Sequence, residues 1–143
     1  MAFGNPYGDP YHPAIVEHWV DRLHDLGVES MSISDTTGIA TPTIIEELYS
    51  VLYEDFPKIE FGSHFHTTKD TWLEKVEAAY ANGCKRFDGA IKGFGGCPMA
   101  KDDLTGNMPT ENLIQFFENK GLDHGLNKEA FDEAYKIANS VFL

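Results

Sequence analysis

What most constrains this chain is a regular alternation of short strand-like runs with amphipathic helical stretches, at a repeat of about 30 residues, the size of one βα unit. From Pro13 to Leu26, the apolar residues Ile15, Val16, Trp19, Val20, Leu23 and Leu26 recur at helical spacing, on one face. Pro13 suits a first helical turn and Gly27 a helix end. Thr41-Pro42 opens a second helix with Ile44, Ile45, Leu48, Val51 and Leu52 as its stripe, ending near Asp55-Phe56-Pro57. A third runs from about Asp70 to Asn82, with Trp72, Leu73, Val76, Ala79 and Tyr80, and Gly83 stops it. Between the helices lie Val28 to Ser34, a loose strand pattern, then Ile59 to His66, which alternates, and Arg86 to Ile91. Thr110 to Asn119 and Asn127 to Phe142 predict two further helices. Met1-Ala2-Phe3 reads as the end of another strand, followed at once by the turn-rich GNPYGDPYHP.

Strict alternation of this kind means an α/β fold with parallel strands joined by right-handed crossovers. A flavodoxin-like sheet covered on both faces fits the 143 residues. So does half of a (β/α)8 barrel, since a whole one needs about 250 residues. Periodicity alone does not choose between them.

The charge narrows the partners. Lys and Arg number 11 against 23 Asp and Glu, a formal charge of −12. Such a chain has no basic face to neutralise phosphates, which argues against nucleic acid, and it has no attraction to an anionic membrane. No apolar run approaches the ~20 residues of a membrane span. The N-terminus lacks the basic and apolar regions of a secretory signal. Two cysteines, Cys84 and Cys97, make no disulfide framework and point to a reduced, cytoplasmic setting.

Several residues have the chemistry of a site. His64 and His66 are two apart at the end of a strand, so both imidazoles lie on one face and can reach one ion. The plain alternative is a pair of polar residues at a strand end. Asp35 ends the preceding strand, where it either caps the turn Thr36-Thr37-Gly38 or orients a water or a substrate hydroxyl. Gly93, Gly95 and Gly96 form a loop that lets a ligand approach the backbone closely. Cys97 follows them, and a thiol so placed can act as acid or base if its pKa is lowered. Asn107 is either a turn residue or a neutral oxygen donor. Cys84 reads as a small residue at a helix-to-strand turn.

The run GxGGCPxA at Gly93 to Ala100, with His64-Phe65-His66 about 30 residues before it (one βα unit) and SDTTGIATP earlier still, resembles the 3-hydroxy-3-methylglutaryl-CoA lyase family. That family belongs to the metal-dependent aldolase and lyase barrels that include isopropylmalate and homocitrate synthases. The resemblance covers nearly the whole chain. It implies that His64 and His66 are ligands of a divalent metal (Mg, Mn or Zn), with Asn107 on or near it. It implies that Cys97 is an acid/base group, that Gly93, Gly95 and Gly96 form a substrate loop, and that Asp35 lies close to the substrate hydroxyl. The implied reaction is retro-Claisen cleavage of an acyl-CoA to acetyl-CoA and acetoacetate. A divalent ion would acidify the substrate's tertiary hydroxyl, and Cys97 would protonate the departing enolate.

Two departures stand out. The family usually follows its second metal histidine with Asp-Thr, whereas this chain has Thr67-Thr68, so a carboxylate that would orient a ligand is absent there. The family's first strand, with an Arg and a metal-binding Asp, also has no counterpart here. The expectation is therefore one partial-barrel domain over residues 1–143, the C-terminal half of a (β/α)8 TIM barrel. Its partners would be an acyl-CoA and either a second copy or a missing N-terminal half, and alone it would be an inactive fragment. The rival readings are a non-catalytic α/β half-barrel module that self-associates and a related acyl-CoA aldolase or synthase domain.

Overall fold

Helices begin where the sequence supplies a cap. His12 Nδ1 accepts from the Ala14 amide ahead of α1 (Pro13–Asp25). Thr41 Oγ1 accepts from Ile44 ahead of α2 (Pro42–Asp55), and both helices carry proline in the first turn, where no amide is needed. The computed structural model describes residues 1–96 and 105–142. Its other elements are β1 (Ser30–Asp35), β2 (Glu60–Thr67), α3 (Trp72–Ala81), β3 (Arg86–Asp88), a 3-10 turn at Ile91–Gly93, β4 (Gly106–Asn107), α4 (Thr110–Asn119) and α5 (Lys128–Val141). Among the described residues no helix is long and apolar enough to cross a membrane.

Strands β1, β2 and β3 are parallel and neighbours in chain order. The Ala2 amide donates to Ser34 O at 2.8 Å, so the N-terminal residues lie along the free edge of β1, as the strand-like Met1-Ala2-Phe3 predicts. Met31 and Ile33 of β1 and Phe61 and Phe65 of β2 point to one side, into a core with Ile45, Leu48 and Leu52 of α2 and Val76 and Ala79 of α3. Helix α1 packs on α2 and α2 on α3. Tyr80 of α3 meets Phe116 and Phe117 of α4 edge to face. The other side of the sheet carries Ser30, Ser32, Ser34, Glu60, Gly62, His64, Arg86 and Asp88. A doubly wound sheet reverses its strand order and takes helices on both faces. Sequential strands with one outer row of helices are the barrel arrangement, so the fold is part of a (β/α)8 barrel and the flavodoxin-like option falls away.

The core includes a polar pin between layers. The Tyr49 hydroxyl on α2 donates to Gly62 O at 2.9 Å and lies 2.7 Å from Ser63 Oγ. Ser63 Oγ is 3.1 Å from Cys84 Sγ, which donates to Arg86 O at 3.2 Å. Cys84 is thus a small core residue at the turn into β3, and burial pushes its thiol pKa up.

Two local features differ from the sequence expectation. The strand expected over Arg86 to Ile91 stops at Asp88, and the chain turns instead through Lys92, whose φ of 58° is unusual for a non-glycine residue. The short β3 leaves the end of β2 without a neighbour. That edge is taken by β4, antiparallel, with His66 opposite Asn107 and Thr67 opposite Gly106. Met108 N then donates to Phe65 O at 3.1 Å, and Ala90 N to Met108 O at 2.9 Å, so the returning segment is wedged between β2 and the continuation of β3.

Candidate active site

The site lies at the carboxyl end of the parallel strands, where α/β barrels place their ligands. The period of the strand puts His64 and His66 on one face, with ring centroids 5.6 Å apart. His64 is half-buried and His66 is 7% exposed. Burial, and then the neighbouring His64 charge, push the His66 pKa below the ordinary imidazole value. The Asp35 carboxylate and the Asn107 amide oppose that shift only in part. Burial and the His64 charge both favour the neutral imidazole, the form that binds a metal.

Asn107 faces His66 because β4 fills the edge of β2. Its amide nitrogen donates to Phe94 O at 2.8 Å, so the carboxamide oxygen is the end left for another partner. The glycines of the loop make this placement possible. Gly93 and Gly95 have φ of 64° and 82°, and a Cβ on them would come within 2.7 Å of Asn107 O and 2.9 Å of Asn107 Nδ2. Asn107 N donates to Gly95 O at 3.1 Å. A Cβ on Gly96 would be 3.1 Å from Thr105 O. The loop lies against β4, and its glycines let it pack closely on Asn107. Cys97 lies outside the described residues.

Asp35 is placed differently from the expectation of a group at the substrate hydroxyl. It shares the face of Met31 and Ile33 and is 1% exposed. Its Oδ2 accepts from Lys75 Nζ at 2.7 Å and from the Ala40 amide at 3.2 Å, the second of these being the turn-capping role. Only Oδ1, buried and without a partner, is left for the site. Lys75, also 1% exposed, gives its other protons to Gly38 O at 2.9 Å and His66 O at 3.0 Å. All three donors of the ammonium are used, so Lys75 ties the turn after β1 to the end of β2 and is no proton donor to a ligand. Sequence reasoning missed it. The available signal was a lysine within the apolar stripe of α3, between Trp72 and Ala79.

His64, His66 and Asn107 thus lie together at one strand end, Asn107 side by side with His66, and His66 Nδ1 is buried with no hydrogen-bond partner. An orphaned imidazole nitrogen beside a second imidazole and an amide fits a divalent cation. Among the described residues no three His, Cys, Asp or Glu side chains gather to complete such a site.

A family model described as HMGL-like matches residues 1–139. The chain belongs to the HMGL-like family. It is 32% identical over 129 residues to (R)-citramalyl-CoA lyase of Chloroflexus aurantiacus, covering 90% of this chain and 40% of that protein. It is 31% identical over 133 residues to the mitochondrial hydroxymethylglutaryl-CoA lyase of Homo sapiens, covering 93% of this chain and 41% of that one. The structure of an HMG-CoA lyase from Acinetobacter baumannii, in complex with coenzyme A and 3-methylmalate, superposes with a TM-score of 0.86 at 30% identity. That match covers 99% of this chain and 46% of the other. The chain therefore spans about 40% of the length of these curated relatives and covers part of the lyase barrel. A member of the HMGL-like family, it carries the HxH pair and the glycines Gly93, Gly95 and Gly96 on one end of that part.

Proposed function

We propose that this chain carries part of the active site of a metal-assisted carbon–carbon lyase that cleaves a 3-hydroxy-3-methylglutaryl-CoA-like acyl-CoA to acetyl-CoA and acetoacetate. The observation that supports it is the convergence of His64, His66 and Asn107 at the carboxyl end of the sheet, with His66 Nδ1 buried and unpartnered. His64, His66 and Asn107 would hold a divalent cation such as Mg, Mn or Zn. Bound there, the ion supplies Lewis acidity toward a hydroxyl and carboxylate of the substrate. The chain's own residues do the rest. His66 stays neutral because it is buried. Asn107 is held in place by the glycine loop. Asp35 is held by Lys75 through one oxygen, with the other buried and unpartnered. Cys97, next after that loop, is the proposed proton donor to the enolate carbon of the departing acetyl-CoA.

Among the described residues the site offers a cation two imidazoles and one carboxamide and gathers no third His, Cys, Asp or Glu, so the chain alone is expected to be a poor lyase. In the complete barrel that contains this segment, His64→Ala with His66→Ala should abolish Mn or Zn binding in calorimetry. Unchanged affinity would make the ligand assignment wrong. In the same background, Cys97→Ala should lower acetyl-CoA release by about 10²–10⁴-fold, the usual contribution of an acid or base, with little change in melting temperature. Activity close to wild type would remove Cys97 from the chemistry.

A further inference from the structure

The inner face of the sheet carries a polar lattice that the metal reading does not use, and it ends on His64. His64 and Asp88 are partners in the β2–β3 register, so their side chains stand side by side on one face. His64 Nδ1 lies 3.6 Å from Asp88 Oδ2. Asp88 is fixed from two further directions. Ser32 Oγ donates to its Oδ2 at 2.8 Å, and Arg86 Nη1 lies 3.6 Å from its Oδ1.

Ser32 is on β1 and Asp88 on β3, with β2 between them. Such a bond needs a gap in the middle strand, and Gly62 supplies it. Gly62 stands between Ser32 and Arg86 in the two registers. A Cβ there would come within 2.6 Å of Arg86 Cζ. The guanidinium lies across the gap and donates to Ser32 Oγ at 3.1 Å and Ser30 Oγ at 3.3 Å. Its Nε is 3.4 Å from Glu60 Oε2, which also accepts from Ser30 at 2.8 Å.

We propose that Asp88 is a positioning residue for His64, its carboxylate standing on the Nδ1 side of the ring and favouring the proton there, so that Nε2 carries the lone pair offered to a divalent cation. The inference rests on the metal reading above. A neutral imidazole carries one proton, and the partner of one nitrogen decides which nitrogen is left as the ligand. Ser32 holds the same oxygen that faces His64, and Arg86 lies beside the other, so the carboxylate is fixed next to the imidazole.

The test uses the full chain at about pH 8, above the ordinary imidazole range, with ring protons located by two-bond ¹H–¹⁵N correlation. His64 in the wild-type chain is expected in the Nδ1–H form. Asp88→Ala should move it to the Nε2–H form that free imidazole prefers, and Asp88→Glu should restore the first form at least in part. Asp88 is partly exposed, so the unfolding midpoint of Asp88→Ala should stay close to wild type. In the complete barrel that contains this segment, calorimetry with Mn²⁺ should show a loss of about 10–100-fold in affinity for Asp88→Ala. An Nε2–H form in wild type, or the same form in wild type and Asp88→Ala, overturns the proposal. Mn²⁺ binding that needs His64 and His66 but is unchanged in Asp88→Ala overturns the role of Asp88 alone. No Mn²⁺ binding by the wild-type complete barrel that contains this segment overturns the metal reading, and with it the purpose assigned to Asp88, whichever form the ring adopts.

Discussion

Lys75 shows how one residue can set the geometry of a site it does not enter. An ammonium removed from water is costly unless every proton is matched and the charge is paired. Here Asp35 supplies the charge, and two carbonyls complete the set. The carbonyls belong to Gly38, in the turn after β1, and to His66 itself. Lys75→Met should therefore be severe, because it leaves the Asp35 carboxylate buried and unpaired. Breaking a buried pair in this way costs roughly 3–5 kcal/mol, read as a lower urea midpoint. Asp35→Asn combined with Lys75→Met removes both charges and should recover a large part of that loss. A double variant as unstable as Lys75→Met would mean that Lys75 acts through its stem and its carbonyl bonds rather than through the ion pair. The sequence points directly to the histidine pair, because alternation along a strand is enough to place two side chains on one face. It does not reveal the Lys75–Asp35 pair, because the partners are 40 residues apart and only the packing of α3 under β1 and β2 brings them together.

At the scale of elements, apolar periodicity locates α1, α2 and α3 almost to the residue, because each stripe is long and each end carries proline, threonine, asparagine or glycine. The strands are legible in order and direction for the same reason, since alternation with helices leaves only parallel pairing. The element that periodicity cannot show is β4. It is a two-residue strand, and it forms because β3 ends early and leaves hydrogen-bonding groups of β2 unpaired. The glycine loop takes on a second meaning with it. Read from sequence, the glycines allow a ligand to approach. In the fold, Gly93 and Gly95 also allow the loop to lie on β4 and hold the Asn107 amide. Gly95→Ala should expose that role. At a φ of 82° a side chain costs about 1–2 kcal/mol, and the new methyl would crowd Asn107 Nδ2. The expected result is an intact helical spectrum with weakened Mn²⁺ binding. Wild-type affinity in Gly95→Ala would separate Asn107 from the cation site.

At the scale of the molecule, the charge and the two flanks act against each other. In a closed barrel each βα unit is covered on both sides by the next. Here the flank at α1 exposes Ile15, Leu23 and Trp19, the last at 61%, beside the edge of β1 on which Ala2 makes a backbone hydrogen bond. At the other end α5 exposes Ile137, Val141 and Phe142. Apolar flanks next to open strand edges favour pairing with another barrel segment, and in a solution of this chain alone the segment available is a second copy. The net charge of −12 on each copy opposes that association. Added salt screens charges over a Debye length of ~10 Å at 0.1 M and also strengthens apolar contact, so association should grow with ionic strength. Sedimentation velocity at micromolar concentration should show a species heavier than one chain that increases from low to high salt. Trp19→Asp places a charge in the middle of the α1 flank and should shift that population back to monomer without unfolding the chain, because Trp19 is mostly exposed. A monomer at every salt concentration would mean that the polar inner face and the chain's charge outweigh its apolar flanks. Association that weakens with salt would place the contact on the ion-paired inner face, around Arg86, Glu60 and Asp88, rather than on the helices.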